Sequence, residues 1–273
     1  MKNTQLFSQF LVVRYGLQQI TVEGYVGGYK RMSKVLGDYP RKEEIEMYIY
    51  NLYTSGKSYS YKINTVLALE KYMEFIGNPI KFGRQKKPRS IIKNTLTEAE
   101  ITTMLFNCKD IRQKAILSLL AYSGIRNLEI CQLKVRDVLI TQNAIRVING
   151  KGLKDGISQI TPECTEILIK YLNEFQRGKD DYFFTTLQKG NRLETGDVRK
   201  WVKVIAKRAR IEKRVYPHLF RHSMASNMLL RGADIVSLKN QLRHSWLDTT
   251  LVYINSIVFV EKNNYQKFCP VYL

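Results

Sequence analysis

Between Lys81 and Lys93 the chain carries six basic residues, Lys81, Arg84, Lys86, Lys87, Arg89 and Lys93, with no acid and with Pro88 among them. Like charges along such a stretch repel, and Pro88 removes a backbone donor and stops a helix from running through. No core can be built from it. It divides the chain into two folding problems, a basic linker over 81–94 between residues 1–80 and residues 95–273. The length of 273 residues fits that division, because single hydrophobic cores rarely keep growing beyond ~250–300 residues.

Residues before the linker have helical periodicity. Helices are expected at about 4–15, 21–36, 41–54 and 59–76. The first carries Leu6, Phe10 and Val13; the second places Tyr25, Tyr29, Met32 and Leu36 on one stripe, and Gly37-Asp38-Tyr39-Pro40 breaks the chain after it. The fourth carries Ile63, Val66, Leu67, Leu69, Tyr72 and Met73. The tyrosines of this region follow helical spacing, which marks most of them as packing groups.

Beyond the linker the pattern mixes. Thr97-Glu98-Ala99-Glu100 is a capping box, and a helix over about 111–122 ends at Gly124, a residue suited to a left-handed stop. Val138–Ile140, Ile145–Ile148 and Ser158–Ile160 read as short strands, with turns at Gln142-Asn143 and around 150–156. Helices resume over Pro162–Phe175, with Pro162 at the first helical position, and over about 195–210. That last helix has Val198, Trp201, Val202, Ile205 and Ala209 on one face and Arg199, Lys200, Lys203, Lys207, Arg208 and Arg210 on the other. The expected fold class is mainly α (α+β): an all-helical N-terminal domain, and a mainly helical second domain with a small antiparallel sheet.

Charge narrows the partner. Lys and Arg number 44 against 24 Asp and Glu, a formal net charge of +20. That is well above the magnitude of about 2–8 typical of a small soluble domain. Such an excess favours a polyanion, since each neutralised phosphate releases condensed counterions. The alternative for such a charge is a basic surface kept for solubility or one that meets acidic lipid; no apolar run reaches the roughly 18 residues that span a bilayer. The start MKNTQLFSQF has no signal-peptide pattern. Cys108, Cys131, Cys164 and Cys269 are scattered and form no CxxC, so neither a zinc site nor a disulfide framework is expected, and a cytoplasmic location fits.

The chemistry-bearing residues lie in the second domain. Ser123-Gly124-Ile125-Arg126 puts Arg126 just after a helix end, and Glu129, one turn later, can reach back to orient it. Asn149-Gly150-Lys151-Gly152 presents Lys151 in a hairpin turn between two glycines. Tyr216-Pro217-His218-Leu219-Phe220-Arg221-His222 opens a helix on which His218 and Arg221, three apart, share a face; His222 is offset from it and reads as a satisfied polar residue. Leu242-Arg243-His244 follows, and Tyr253 lies nine residues beyond His244. Each piece alone is common. The order Arg, Lys in a hairpin, His-x-x-Arg, His, Tyr resembles the tyrosine recombinase family, the integrases and Xer-type recombinases. The resemblance covers 97–255 well, and the helical N-terminal domain more loosely.

By that resemblance the N-terminal domain corresponds to a core-binding domain, and the two domains form a C-shaped clamp on double-stranded DNA. Arg126 and Arg221 are the paired arginines on the scissile phosphate. Lys151 is the hairpin lysine, His218 and His244 are the two histidines, Glu129 is the acidic support and Tyr253 the nucleophile. Arg84, Lys86, Lys87, Arg89 and Arg243 are expected to contact DNA. Four protomers would assemble on two DNA sites, and the apolar segment Ile257-Val258-Phe259-Val260 would either close its own core or dock on a neighbouring protomer. One departure stands out. The family has glycine before the second histidine and this chain has Arg243, so Arg243 must adopt a left-handed backbone at a cost, or the turn differs.

The inventory also makes chemical sense by itself. Attack on a phosphodiester spreads negative charge over non-bridging oxygens, which suits two permanently charged, bidentate guanidiniums. A phenol with pKa near 10 needs a base, for which His218 is the candidate, and the departing 5′ oxygen needs a proton, for which Lys151 is the candidate. A covalent phosphotyrosine conserves the bond energy, so rejoining needs no ATP. The chain has no HExxH, no DxD-like cluster and no GxxxxGK[ST] loop, so no metal or other cofactor is expected. The alternatives are a type IB topoisomerase, which shares this residue pattern but reseals its own strand, and a DNA-binding protein without catalysis.

Overall fold

In the computed structural model, which describes residues 2–86, 95–148, 155–186 and 191–243, the chain divides into two units, Met1–Ile91 and Ile92–Leu273. The first consists of four helices: α1 (Lys2–Tyr15), α2 (Gln19–Leu36), α3 (Lys42–Thr54) and α4 (Tyr59–Phe75). Its core corrects the expected face of α1. Phe7 and Leu11 are buried and Phe10 packs partly against them, whereas Leu6 is 44% and Val13 86% exposed. Both stripes have helical spacing, and the Phe7 stripe prevails because it meets an aromatic cluster. Tyr29 and Tyr72 stack at 4.1 Å between ring centres, and the Phe7 ring stands edge-on to both at 5.7 and 5.3 Å. Their hydroxyls are not stranded. Tyr29 donates to Asp38 Oδ1 (2.6 Å) and Tyr72 to the Asp38 carbonyl (3.0 Å), which pins the break after α2.

The second unit opens with the capping box on α5 (Glu98–Phe106), where Thr97 Oγ1 accepts from the Glu100 amide and Glu100 accepts from the Thr97 amide. α6 (Ile111–Ser123) follows, with Ala115–Ala121 buried without interruption. A helix apolar on every side belongs in the middle of a core. It is covered by α8 (Pro162–Phe175), α9 (Thr195–Arg208) and α10 (Pro217–Leu230), with Leu168, Tyr171, Val202 and Phe220 among the residues of the shared core. The sequence did not mark out the short α7 (Asn127–Gln132) as a helix.

The sheet is small and antiparallel in the order β1-β2-β3: β1 (Val138–Leu139), β2 (Ala144–Val147) and β3 (Gly156–Gln159), with Ile145 paired to Ser158 and Val147 to Gly156. Asn143 takes a left-handed backbone (φ 47°) at the expected turn. α9 is divided as the sequence suggested, with Val198, Val202 and Ile205 inside and Lys200, Lys203 and Lys207 exposed. α11 (Ile235–Leu242) closes the described part of this unit, packing Leu238 and Leu242 on Met224 and Ala225 of α10.

Candidate functional site

Three chain segments meet where α6 ends. Gly124 stops that helix in the left-handed conformation (φ 62°). A Cβ at this position would collide with Met224 Cε and lie 3.0 Å from Leu242 Cδ2, so glycine serves both the turn and the close passage beneath α10 and α11. Two residues later Arg126 is the N-cap of α7. Glu129 folds back onto it, taking the Arg126 amide on Oε2 (2.9 Å) and the Arg126 guanidinium on Oε1 (2.7 Å). The expected orienting role of Glu129 toward Arg126 thus has a geometric basis in one carboxylate that accepts from both the amide and the guanidinium of Arg126.

Arg221 enters from the first turns of α10 and is 1% exposed. Its Nη1 donates to the Gly124 carbonyl, and its Nη2 donates to the Leu242 carbonyl at 2.6 Å. It therefore joins the end of α6 to the end of α11. Leu242 and Gly124 are also the approaches to Arg243 and Arg126, so the same two segments are joined a second time through Glu129. Arg243 Nη2 lies 2.6 Å from Glu129 Oε2, and Arg243 Nη1 donates to Ser158 Oγ on β3. Gln241 adds a backbone-like pair with β3, accepting from Gln159 N (3.1 Å) and donating to Gln159 O (2.8 Å).

Arg243, expected to contact DNA, here meets a carboxylate of its own unit. The residue does adopt the left-handed backbone (φ 53°, ψ 45°), at a cost of roughly 1–2 kcal/mol for a non-glycine residue. Its side chain is only 10% exposed and is directed inward to the carboxylate. Burial would by itself push the Glu129 carboxyl up, but Arg243, the Arg126 amide and the Arg126 guanidinium together hold it below the ordinary carboxylate range. The same burial lowers the Arg243 guanidinium, with Glu129 opposing the shift, and guanidinium remains charged throughout the physiological range.

His218 is exposed on the first turn of α10, whereas Arg221 on the same helix points into the unit. His222, read from the sequence as offset from that face, is in fact its neighbour: the two imidazoles meet edge-to-face at 4.8 Å. The i, i+4 spacing was the signal that could have found this contact. Lys151, His244 and Tyr253 lie outside the described residues, as do Lys87, Arg89 and the segment 257–260.

Arg84, expected to contact DNA, is ion-paired within the first unit. It grips the buried Glu70 of α4 through both terminal nitrogens (2.8 and 2.7 Å), and the same carboxylate accepts from the Phe82 amide at 2.8 Å. Burial raises the Glu70 carboxyl and these bonds more than offset it, so its pKa lies below the ordinary value. The start of the linker is thus laced to the first unit. Lys86 is exposed. Among the described residues there is no group of three or more His, Cys, Asp or Glu side chains placed to hold a metal, and no helix long and apolar enough to cross a membrane.

Comparisons with known proteins converge on one family. The model of the phage integrase family matches residues 94–258. The chain is 30% identical over 269 residues to a tyrosine recombinase of Pseudothermotoga lettingae, covering 93% of each chain. It is 26% identical over 294 residues to the tyrosine recombinase XerD of Halalkalibacterium halodurans, covering 98% of this chain and 97% of that one. Among solved structures it is similar to XerA recombinase (25% identity, TM-score 0.58, all of both chains). It also shares the fold of XerH bound to palindromic difH substrate in a post-cleavage complex (18% identity, TM-score 0.71, 91% of this chain and 78% of that one). With an arginine pair stitched into one junction and a family match that runs from the linker past Tyr253, the chain belongs to the phage integrase family and is a tyrosine recombinase.

Proposed function

We propose that this recombinase cuts a specific site in double-stranded DNA by attack of the Tyr253 phenol on the scissile phosphate. The products of that step are a 3′-phosphotyrosine and a free 5′-hydroxyl, and a partner strand's 5′-hydroxyl then displaces the tyrosine. Arg126 and Arg221 hold the phosphate, each donor worth about 2.7–4 kcal/mol, or 10²–10³ in rate. Lys151 protonates the leaving 5′ oxygen, and His218 and His244 manage the proton of the phenol and the phosphate's remaining oxygens. The observation that carries this reading is the junction itself. Arg221 bonds the carbonyls of Gly124, two residues before Arg126, and of Leu242, from which the chain runs on toward Tyr253, and this supports a shared phosphate site for the two arginines.

The domains proposed are a DNA-binding helical unit over 1–80, a basic linker over 81–94 and a catalytic unit over 95–273. Exchange between two duplexes calls for four protomers assembled on DNA, with the tail beyond Tyr253 docking on a neighbour, and the cytoplasm is the setting. The test is covalent trapping on nicked duplexes, in which the cleaved fragment diffuses away. Wild-type protein is expected to give a detergent-resistant adduct whose peptide map places the DNA on Tyr253, and a synaptic complex holding two duplexes. An adduct on another tyrosine would overturn the assignment. Supercoil relaxation without recombinant products would favour topoisomerase chemistry.

The linker yields a second expectation. Lys86→Ala with Lys87→Ala should reduce the slope of log affinity against log salt by about 1.8, at ~0.9 for each phosphate no longer neutralised. Arg84→Ala should leave that slope nearly unchanged and instead destabilise the first unit by about 1–3 kcal/mol, because Glu70 stays buried without its fork. Filter-binding titrations over a salt series and denaturant midpoints separate the two effects.

A further inference from the structure

The backbone gives Arg243 a place that glycine would occupy without strain, at φ 53° and ψ 45°. A compensating gap lies opposite. A Cβ on Gly156 would sit 2.6 Å from Arg243 Cδ and 3.1 Å from its Cγ, and Gly156 needs no positive φ, so its lack of a side chain serves only to make room for the arginine stem. The guanidinium beyond that stem meets Ser158 and the second oxygen of Glu129, whose first oxygen holds Arg126.

We propose that Arg243 is a positioning residue for strand cleavage, fixing the Glu129 carboxylate so that Arg126 is held in one orientation with its charge available to a phosphate. The inference rests on the reading of Arg126 as a phosphate-binding group. Two physical effects support it. A carboxylate bonded to Arg126 alone would cancel the charge that the phosphate needs. A second buried guanidinium on the same carboxylate leaves the trio with one net positive charge. Within the trio the Arg126 side chain is the most exposed, at 26%, against 10% for Arg243 and 6% for Glu129. The surplus charge is thus presented at Arg126. The second effect is geometric: Oε2 already takes the Arg126 amide, and the Arg243 guanidinium on the same oxygen adds an anchor from outside α7 against rotation of the carboxylate.

The experiment is single-turnover covalent adduct formation on a trapped duplex, with DNA affinity and thermal unfolding measured on the same preparations. Arg243→Met keeps the stem and removes the charge; it should slow adduct formation 10–100-fold while changing affinity less than threefold. Arg243→Lys, which restores a cation, should recover most of the loss. Gly156→Ala, which keeps every charge and displaces the stem, should slow the reaction in the same direction. If Arg243 acts through Glu129 on Arg126, then Arg126→Ala combined with Arg243→Met should be no slower than Arg126→Ala alone. Normal rates in Arg243→Met, or an equal slowing whether or not Arg126 is present, would overturn the proposal and leave a purely structural role. The underlying reading fails separately, since it would show as normal cleavage by Arg126→Ala itself.

Discussion

Tyr253→Phe should abolish the covalent adduct altogether while leaving DNA affinity within threefold. The substitution removes one oxygen atom and leaves the ring, so packing and charge are nearly unchanged. A phenyl ring has no lone pair for attack on phosphorus, and none of the other groups assigned to the site, two guanidiniums, an ammonium and two imidazoles, is assigned as a nucleophile. The cations stay in place and continue to bind phosphate, so binding survives. Detergent gels of trapped reactions read the first quantity and gel-shift titrations the second. Residual adduct at even a hundredth of the wild-type rate would mean that another nucleophile serves. A large loss of affinity would mean that the phenol is a binding group rather than the attacking one.

Arg221→Ala should fail in two ways at once. Its guanidinium is 1% exposed and donates to the carbonyls of Gly124 and Leu242, so alanine leaves two buried acceptors and a cavity the size of the missing side chain. An unmatched buried polar group costs about 1–3 kcal/mol, and truncation of a large buried side chain adds a cavity cost. Together these predict a loss on the order of 3–5 kcal/mol in the stability of the second unit. Adduct formation should drop by a further 10²–10³ from loss of a charged donor on the phosphate. Arg126→Ala provides the contrast. Its side chain is partly open to solvent, so it should lose rate with little change in unfolding midpoint. Equal stability of the two variants would show that the Arg221 bonds to the α6 and α11 ends contribute nothing net.

Several helix ends were legible in the sequence where a cap or a left-handed residue marked them, although α11, capped by Asp234, was not read as a helix. Thr97-x-x-Glu100, Gly124, Thr161-Pro162 and Pro217 each sit where local chemistry alone demands. The face of α1 was not legible, because Leu6/Phe10/Val13 and Phe7/Leu11 have equally good helical spacing and only tertiary packing against Tyr29 and Tyr72 decides between them. The candidate site divides along the same line. Arg126 and Glu129, three apart, could be paired by inspection. The partners of Arg221, Arg243 and Arg84 could not. They are acceptors 97, 114 and 14 residues away, and a basic side chain gives no sign in one dimension of whether it faces a phosphate or a buried carboxylate. The exposed basic face of α9 was readable because amphipathicity is a local property.

The double stitch at Leu242 and Arg243 fixes the root of a tether. Nine residues, 244–252, lie between Arg243 and Tyr253, and the ten residue steps reach at most about 33–36 Å. On the proposed mechanism the phosphate that Tyr253 attacks lies inside a sphere of about that radius centred on Arg243, whether it is held by its own protomer or by a neighbour. Lengthening the tether between 244 and 252 enlarges the sphere without touching the cations.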